Sequence, residues 1–269
     1  KQGTSTMTIS LPASWIKKFN LEDKDVVNIT EVDNNLILST QKILSSKKVE
    51  VDLRGKSNSL VARKIFGLYQ EGVDRITIIQ ENQEEFIKQI ANQLIGFIVM
   101  DMTKNKVVIE DISGVSNIDF SSIYKRCFHI LLDQYEYLKV QIQNNEKLDG
   151  LDKLDYNLNQ FTDFGLRYLS KRGHENFRKT PSFYHIISQI ELLGDIITRF
   201  DDIYKEEDED KDKILELIDE IKNLIEDIFK LSIKTISEKN TDLVMKTKYL
   251  EDKHYNTKSS SSIILLIQC

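Results

Sequence analysis

The chain has 269 residues, with 37 basic and 43 acidic side chains and a formal net charge of −6. At 40% hydrophobic and 30% charged residues it is neither a disordered tail nor a membrane protein by composition, and its length suits two or three folded units. Two prolines argue against a loop-rich β protein and for long uninterrupted helices.

Residues 4–11 alternate, with Met7, Ile9 and Leu11 on one face and Thr6, Thr8 and Ser10 on the other, which predicts a half-buried strand ended by Pro12. Ala13 to Phe19 is expected as a short helix anchored by Trp15, Ile16 and Phe19, with Asn20 as its stop. Strands over Val26–Val32 and Leu36–Ser39, turning at Asp33-Asn34-Asn35, complete a head at residues 1–46. A unit of about 45 residues cannot bury a stable core alone, so a second copy is expected to pair with it.

Residues 47–113 follow as a βαβαββ module. Its expected strands are Val49–Leu53, Arg75–Gln80, Phe97–Met102 and Lys106–Asp111, and its helices Ser57–Glu71 and Gln83–Ile95 end at Gly72 and Gly96. From residue 117 the period becomes helical. Helices over Phe120–Asn145, Leu148–Lys171 and Ser182–Lys205 predict a three-helix bundle at residues 117–205. Residues 206–269 begin with the acidic run Glu206 to Asp212, and helices over Ile214–Glu238 and Thr241–His254 predict the start of a second, incomplete bundle. The fold class is therefore mainly α, with a small N-terminal β head.

Charge is uneven. Residues 1–48 hold seven lysines and five acids, whereas residues 203–256 hold ten lysines and fifteen acids. The longest apolar run, Ile263 to Ile267, is far short of the roughly 20 residues of a spanning helix. Cys127 and Cys269 make no disulfide framework, so a cytoplasmic location is expected. Because the chain opens on Lys1, it is expected to begin inside a longer product, and its last residues, 259–269, are expected to be a truncated or shifted end.

No phosphate-binding loop, nucleophile elbow or His-Glu-x-x-His helix occurs, so no enzyme is expected. Cys127 and His129 point to opposite sides of their helix, and Glu251-x-x-His254 lacks the second copy that a di-iron site needs. The carboxylates of the second and third long helices say more. Glu191 and Asp195 lie one turn apart, and Asp155 and Asn159 repeat that spacing on the neighbouring helix. A hard cation, a basic partner or a wet polar stripe are all compatible with it.

The segment from Gly3 through Ser10-Leu11-Pro12 and Trp15 to Leu21, continuing to Asp25-Val26-Val27, resembles the AbrB/SpoVT/MazE swapped-hairpin domain. Asp155-x-x-x-Asn159, Phe164-Gly165-Leu166-Arg167 and Ile190-Glu191-Leu192-Leu193-Gly194-Asp195 look like the acidic helix signatures of PhoU bundles. In this order the two resemble the archaeal phosphate uptake regulators. The resemblance implies a homodimer joined through its N-terminal hairpins and bound to DNA, with a PhoU-like body that regulates transcription in phosphate homeostasis. It also implies a divalent or ferric ion on Asp155, Asn159, Glu191 and Asp195. For DNA, Lys1, Lys17 and Lys18 are the expected phosphate contacts and Thr4, Ser5 and Thr6 the hydroxyl donors. Trp15 is read as a core anchor. An alternative of another class is a PhoU-type interaction protein whose head only dimerises. Its bundle then docks on a phosphate transporter or its signalling kinase, without DNA binding and without membrane insertion.

Overall fold

The computed structural model describes residues 9–32, 35–40, 46–113, 118–146, 150–203 and 211–234. In the head, helix α1 (Ala13–Phe19) begins at Pro12, whose carbonyl accepts from the Trp15 and Ile16 N–H groups. It stops at Asn20 in the left-handed conformation (φ 47°, ψ 52°), one of the few non-glycine residues that adopts it readily. Strands β1 (Val27–Val32) and β2 (Asn35–Thr40) form an antiparallel hairpin with Val27 opposite Thr40 and Val32 opposite Asn35. The strand expected before Pro12 lies mostly outside the described residues, and Ile9 to Leu11 have no regular structure.

The next unit has the expected order: β3 (Lys48–Asp52), α2 (Asn58–Gln70), β4 (Arg75–Ile79), α3 (Glu84–Gln93), β5 (Phe97–Thr103) and β6 (Lys106–Asp111). Ser57 caps α2 through its hydroxyl, and Gly72 and Gly96 take positive φ (81° and 88°) where the chain turns back to the sheet. The strand order is β3-β4-β6-β5, with β3 parallel to β4 and the other pairs antiparallel. A register shift between Val99 and Asp101 makes Met100 a bulge on the edge strand β5.

Four long helices follow: α4 (Phe120–Asn144), α5 (Leu151–Arg172), α6 (Thr180–Ile203) and α7 (Lys211–Lys234). Helix α5 starts three residues later than its periodicity predicts, because Gly150 at φ 103° precedes it in a non-helical conformation. Pro181 lies in the first turn of α6, where its missing N–H is not needed. Helices α4, α5 and α6 pack on one another. Helix α7 lies along α4, and Ile214, Leu217, Ile218, Ile221 and Ile225 join the same core. An apolar stripe says that a helix is buried but not against what, so α7, read from sequence as opening a second bundle, is the fourth helix of the described body. The helix expected at Thr241–His254 lies outside the described residues, as does the final segment.

One hydrophobic core runs from the α/β module into the bundle. The junction is made by α5 against α2, and its centre is Arg167, whose side chain is 0% exposed. Its Nη1 donates to the carbonyls of Tyr69 (2.9 Å) and Val73 (2.7 Å), and its Nη2 to Asp74 (2.9 Å) and Asp111 (2.7 Å). The guanidinium also packs on the rings of Tyr69 and Phe97, and Lys171 reaches Asp74 from the next turn. Burial pushes the Asp111 carboxyl up, but hydrogen bonds from Ser113 and Arg167 outweigh it and hold the group below its ordinary value.

Candidate functional site

Two places bring the sequence candidates together. In the head, Lys17 and Lys18 occupy the last turn of α1 and are both exposed, with the Lys18 ammonium 5.7 Å from the Phe19 ring. Trp15 packs on Phe19 at 5.2 Å between ring centroids and is half-buried, in keeping with an anchor. Lys1, Thr4, Ser5 and Thr6 lie outside the described residues.

The hairpin register puts Val27, Ile29, Leu36 and Leu38 on one face. Ile29 and Leu36 are each 60% exposed, Val26 is 72% exposed, and no described side chain of the head is buried. An apolar face of this kind on so small a unit needs a cover.

The second place is the seam between α5 and α6. Asn159 Nδ2 donates to Asp155 Oδ2 at 3.0 Å, while the Asn159 Oδ1 is buried without a hydrogen-bond partner. Gly194 on α6 permits the close approach, since a Cβ there would collide with Leu158 and come within 3.1 Å of Gln134 Oε1. Gly194→Ala is therefore expected to cost about 1–3 kcal/mol in urea unfolding, as overpacking of a filled seam does; an unchanged midpoint would mean that the helices are free to move apart.

Burial raises the Asp155 carboxyl, the Asp195 charge adds to that, and Gln134, Asn159 and Thr198 partly offset both. Gln134 is fully buried, yet neither of its amide atoms meets a partner at good hydrogen-bonding geometry. Glu191 is pushed up to about 7 by burial, then by the charges of Asp195, Asp163 and Asp155. Asp163 is raised to about 6 by burial, against a 2.6 Å hydrogen bond from Gln70 of α2. The three predicted seam carboxylates thus act on one another through their charges, and Asn159 is hydrogen-bonded to one of them.

Sequence reasoning missed Gln134 and Asp163. Asp163 continues the row of Asp155 and Asn159 by one more turn, which was a readable signal, whereas Gln134 is a polar break in an apolar stripe on another helix. The donors available are all oxygen, the chemistry of a hard cation. Among the described residues, however, no three His, Cys, Asp or Glu side chains converge closely enough to hold a metal ion. What the seam can do directly is take up a proton near neutrality. No helix among the described residues is long and apolar enough to cross a membrane.

Against known families, residues 1–45 match the model of the family described as antidote-toxin recognition MazE, bacterial antitoxin. The head is thus a MazE/AbrB-like domain of the kind found in DNA-binding or antitoxin-like regulators. No curated protein and no solved structure matches the chain.

Proposed function

We propose that the protein is a dimeric DNA-binding regulator of transcription whose helical body reports phosphate status to the head. The observation that carries the proposal is the MazE-like head with its uncovered apolar face of Ile29 and Leu36, which a second copy buries. Pairing two heads brings two sets of Lys17 and Lys18 to one duplex, and cations used in this way grip phosphates with little sequence information.

The regulatory part is supported by α5, which carries Asp155, Asn159 and Asp163 at the acidic seam and Arg167 one turn further on at the junction with the α/β module. A change of charge at the seam acts on the helix that holds the junction. For the seam to take a divalent or ferric ion, Asp155, Asn159, Glu191 and Asp195 would have to draw closer than they stand, since no three of the described acids converge on one point. Metal content after purification without chelator tests this, with Asp195→Ala as the control that must lose the ion.

The experiment for the head is a gel-shift titration against the promoter of a phosphate transporter gene with salt varied. Affinity is expected to fall steeply between low and physiological salt, and Lys17→Ala with Lys18→Ala to weaken it at every salt concentration. Absence of binding to any duplex at low salt would leave the second reading, in which the head only dimerises and the body docks on a transporter or its signalling kinase.

A further inference from the structure

The sheet of the α/β module ends in two edge strands, and they differ. On β5 the bulge at Met100 bends the strand and deters further pairing. Strand β3 has no bulge and no proline, and among the described residues nothing pairs with its outer side. Its hydrogen bonds to β4 run through alternate residues. The Lys47 carbonyl accepts from the Asp74 and Arg75 N–H groups (2.8 and 3.2 Å), and the Leu53 N–H donates to the Ile79 carbonyl (2.8 Å). A parallel ladder engages every second residue of a strand, so Lys47, Val49, Val51 and Leu53 turn their backbones to β4. The N–H and C=O groups of Lys48, Glu50 and Asp52 therefore point outward, an unfilled template for one more strand.

The side chains of Lys48, Glu50 and Asp52 are exposed, whereas Val49 and Val51 pack against the core on the other face. Asp52 is held by Arg54 at 2.6 Å, but Lys48 and Glu50 take part in no ion pair within the described residues. A second copy of this edge fits the template in one register. A closed pair is two-fold symmetric, so its strands run antiparallel about an axis perpendicular to the sheet. An axis beside Lys48 sets Lys48 against itself, one beside Glu50 sets Glu50 against itself, and one beside Val51 sets Glu50 against Asp52. Each of these faces like charges, which is destabilising. An axis beside Val49 sets Lys48 against Glu50 of the second copy, twice, so that opposite charges meet at each backbone-bonded pair.

We propose that two copies of the chain join through β3, antiparallel and centred on Val49, so that two four-stranded sheets become one continuous sheet. The proposal rests on the reading of the head as a dimer. Residues 41–47 are all that separate the head hairpin from β3, about 25 Å at full extension, so paired heads keep the two edges at high effective concentration. An edge of five residues is too small to hold two free chains together, but it has little to add to a pair already tethered. Paired heads alone leave the two bodies swinging on their connectors. A shared sheet holds both bodies in one frame, which a body that reports to the head requires.

The test is cross-linking between full chains that carry Cys269→Ser and either Val49→Cys or Val51→Cys, read on non-reducing gels after mild oxidation, beside sedimentation equilibrium of the wild type. Facing residues of a pair without backbone bonds stand about 4.5 Å apart at Cα, within reach of a disulfide. Val49→Cys is expected to cross-link at least about tenfold faster than Val51→Cys, which in this register faces Lys47 of the second copy. Lys48→Glu and Glu50→Lys are each expected to slow the Val49→Cys cross-link at least about fivefold, and the two together to restore it, because the swap exchanges the partners. Thermal melting confirms that each variant is folded. Equal rates for Val49→Cys and Val51→Cys, or a swap no faster than its single reversals, overturn the proposal. A wild-type dimer whose Val49→Cys variant does not cross-link overturns it and leaves the head reading standing. A wild type that is monomeric at every concentration removes both. Slow amide exchange at Lys48 and Glu50 without cross-linking means that a different strand fills the edge, which overturns the proposal as well.

Discussion

Arg167→Met is expected to cost about 3–5 kcal/mol of folding stability, the cost of stranding charges that were buried as a pair. Methionine keeps most of the volume and the packing on Tyr69 and Phe97, so the loss isolates the charge and its hydrogen bonds. What remains behind is the Asp111 carboxylate, 4% exposed, and that of Asp74, 17% exposed and still paired with Lys171, with the Val73 carbonyl left without its donor and the Tyr69 carbonyl keeping only the Gly72 N–H. Because Asp111 sits below its ordinary value in the folded state, it contributes stability that is present at neutral pH and lost as pH falls through its folded pKa. That acid limb should be shallower in the variant. Urea unfolding at neutral and at acid pH measures both effects. Adding Asp111→Asn to Arg167→Met should recover part of the loss, since the buried charge that has lost its guanidinium is then removed while the Ser113 hydrogen bonds still have an acceptor. A midpoint equal to wild type would remove Arg167 from the junction.

The seam predicts the opposite slope. A carboxyl raised in the folded state contributes stability below its unfolded pKa and loses it as pH rises through the folded value. With Glu191 near 7 and Asp163 near 6, the wild-type protein is expected to lose of the order of 2 kcal/mol between about pH 5 and pH 8, after allowance for solvent at the partly exposed Glu191. Glu191→Gln, which is neutral at every pH, should flatten most of that fall and make the variant the more stable protein at pH 8. Thermal melts at unit steps of pH decide it, and a wild-type curve that is level from pH 5 to pH 8 would show the carboxylates to be fully solvated. Together the two limbs put the stability maximum on the acid side of neutrality.

Local structure was legible wherever the chain itself determines it. Helix α1 runs from Ala13 to Phe19 as its pattern predicts, and the alternation of periods over residues 48–111 gives every element of the module to within a few residues. Gly72 and Gly96 end their units because the turns there need positive φ. Gly150 escaped notice because glycine is tolerated within a helical pattern, and only its φ of 103° shows that α5 cannot begin before it. The seam was half legible: spacing on one helix gave Asp155 with Asn159 and Glu191 with Asp195, while Gln134 reaches them from α4 and has no signature of its own. Arg167 was the least legible residue of consequence. It sits in the resemblance segment after Phe164-Gly165-Leu166, yet its partners come from α2, the turn after it and β6, and no pattern within α5 points to them.

The separation of those partners along the chain gives the junction an order in time. Arg167 lies 56 residues beyond Asp111 and 93 beyond Asp74. At a synthesis rate of about 5–20 residues per second, the α/β module is complete for roughly 3–11 s before the guanidinium that neutralises it is made. During that interval the nascent module presents two acids and the open Val73 carbonyl at the surface where α5 will dock. Those like charges discourage the wrong neighbours from settling there, and the arrival of α5 both fills the site and registers the bundle on it.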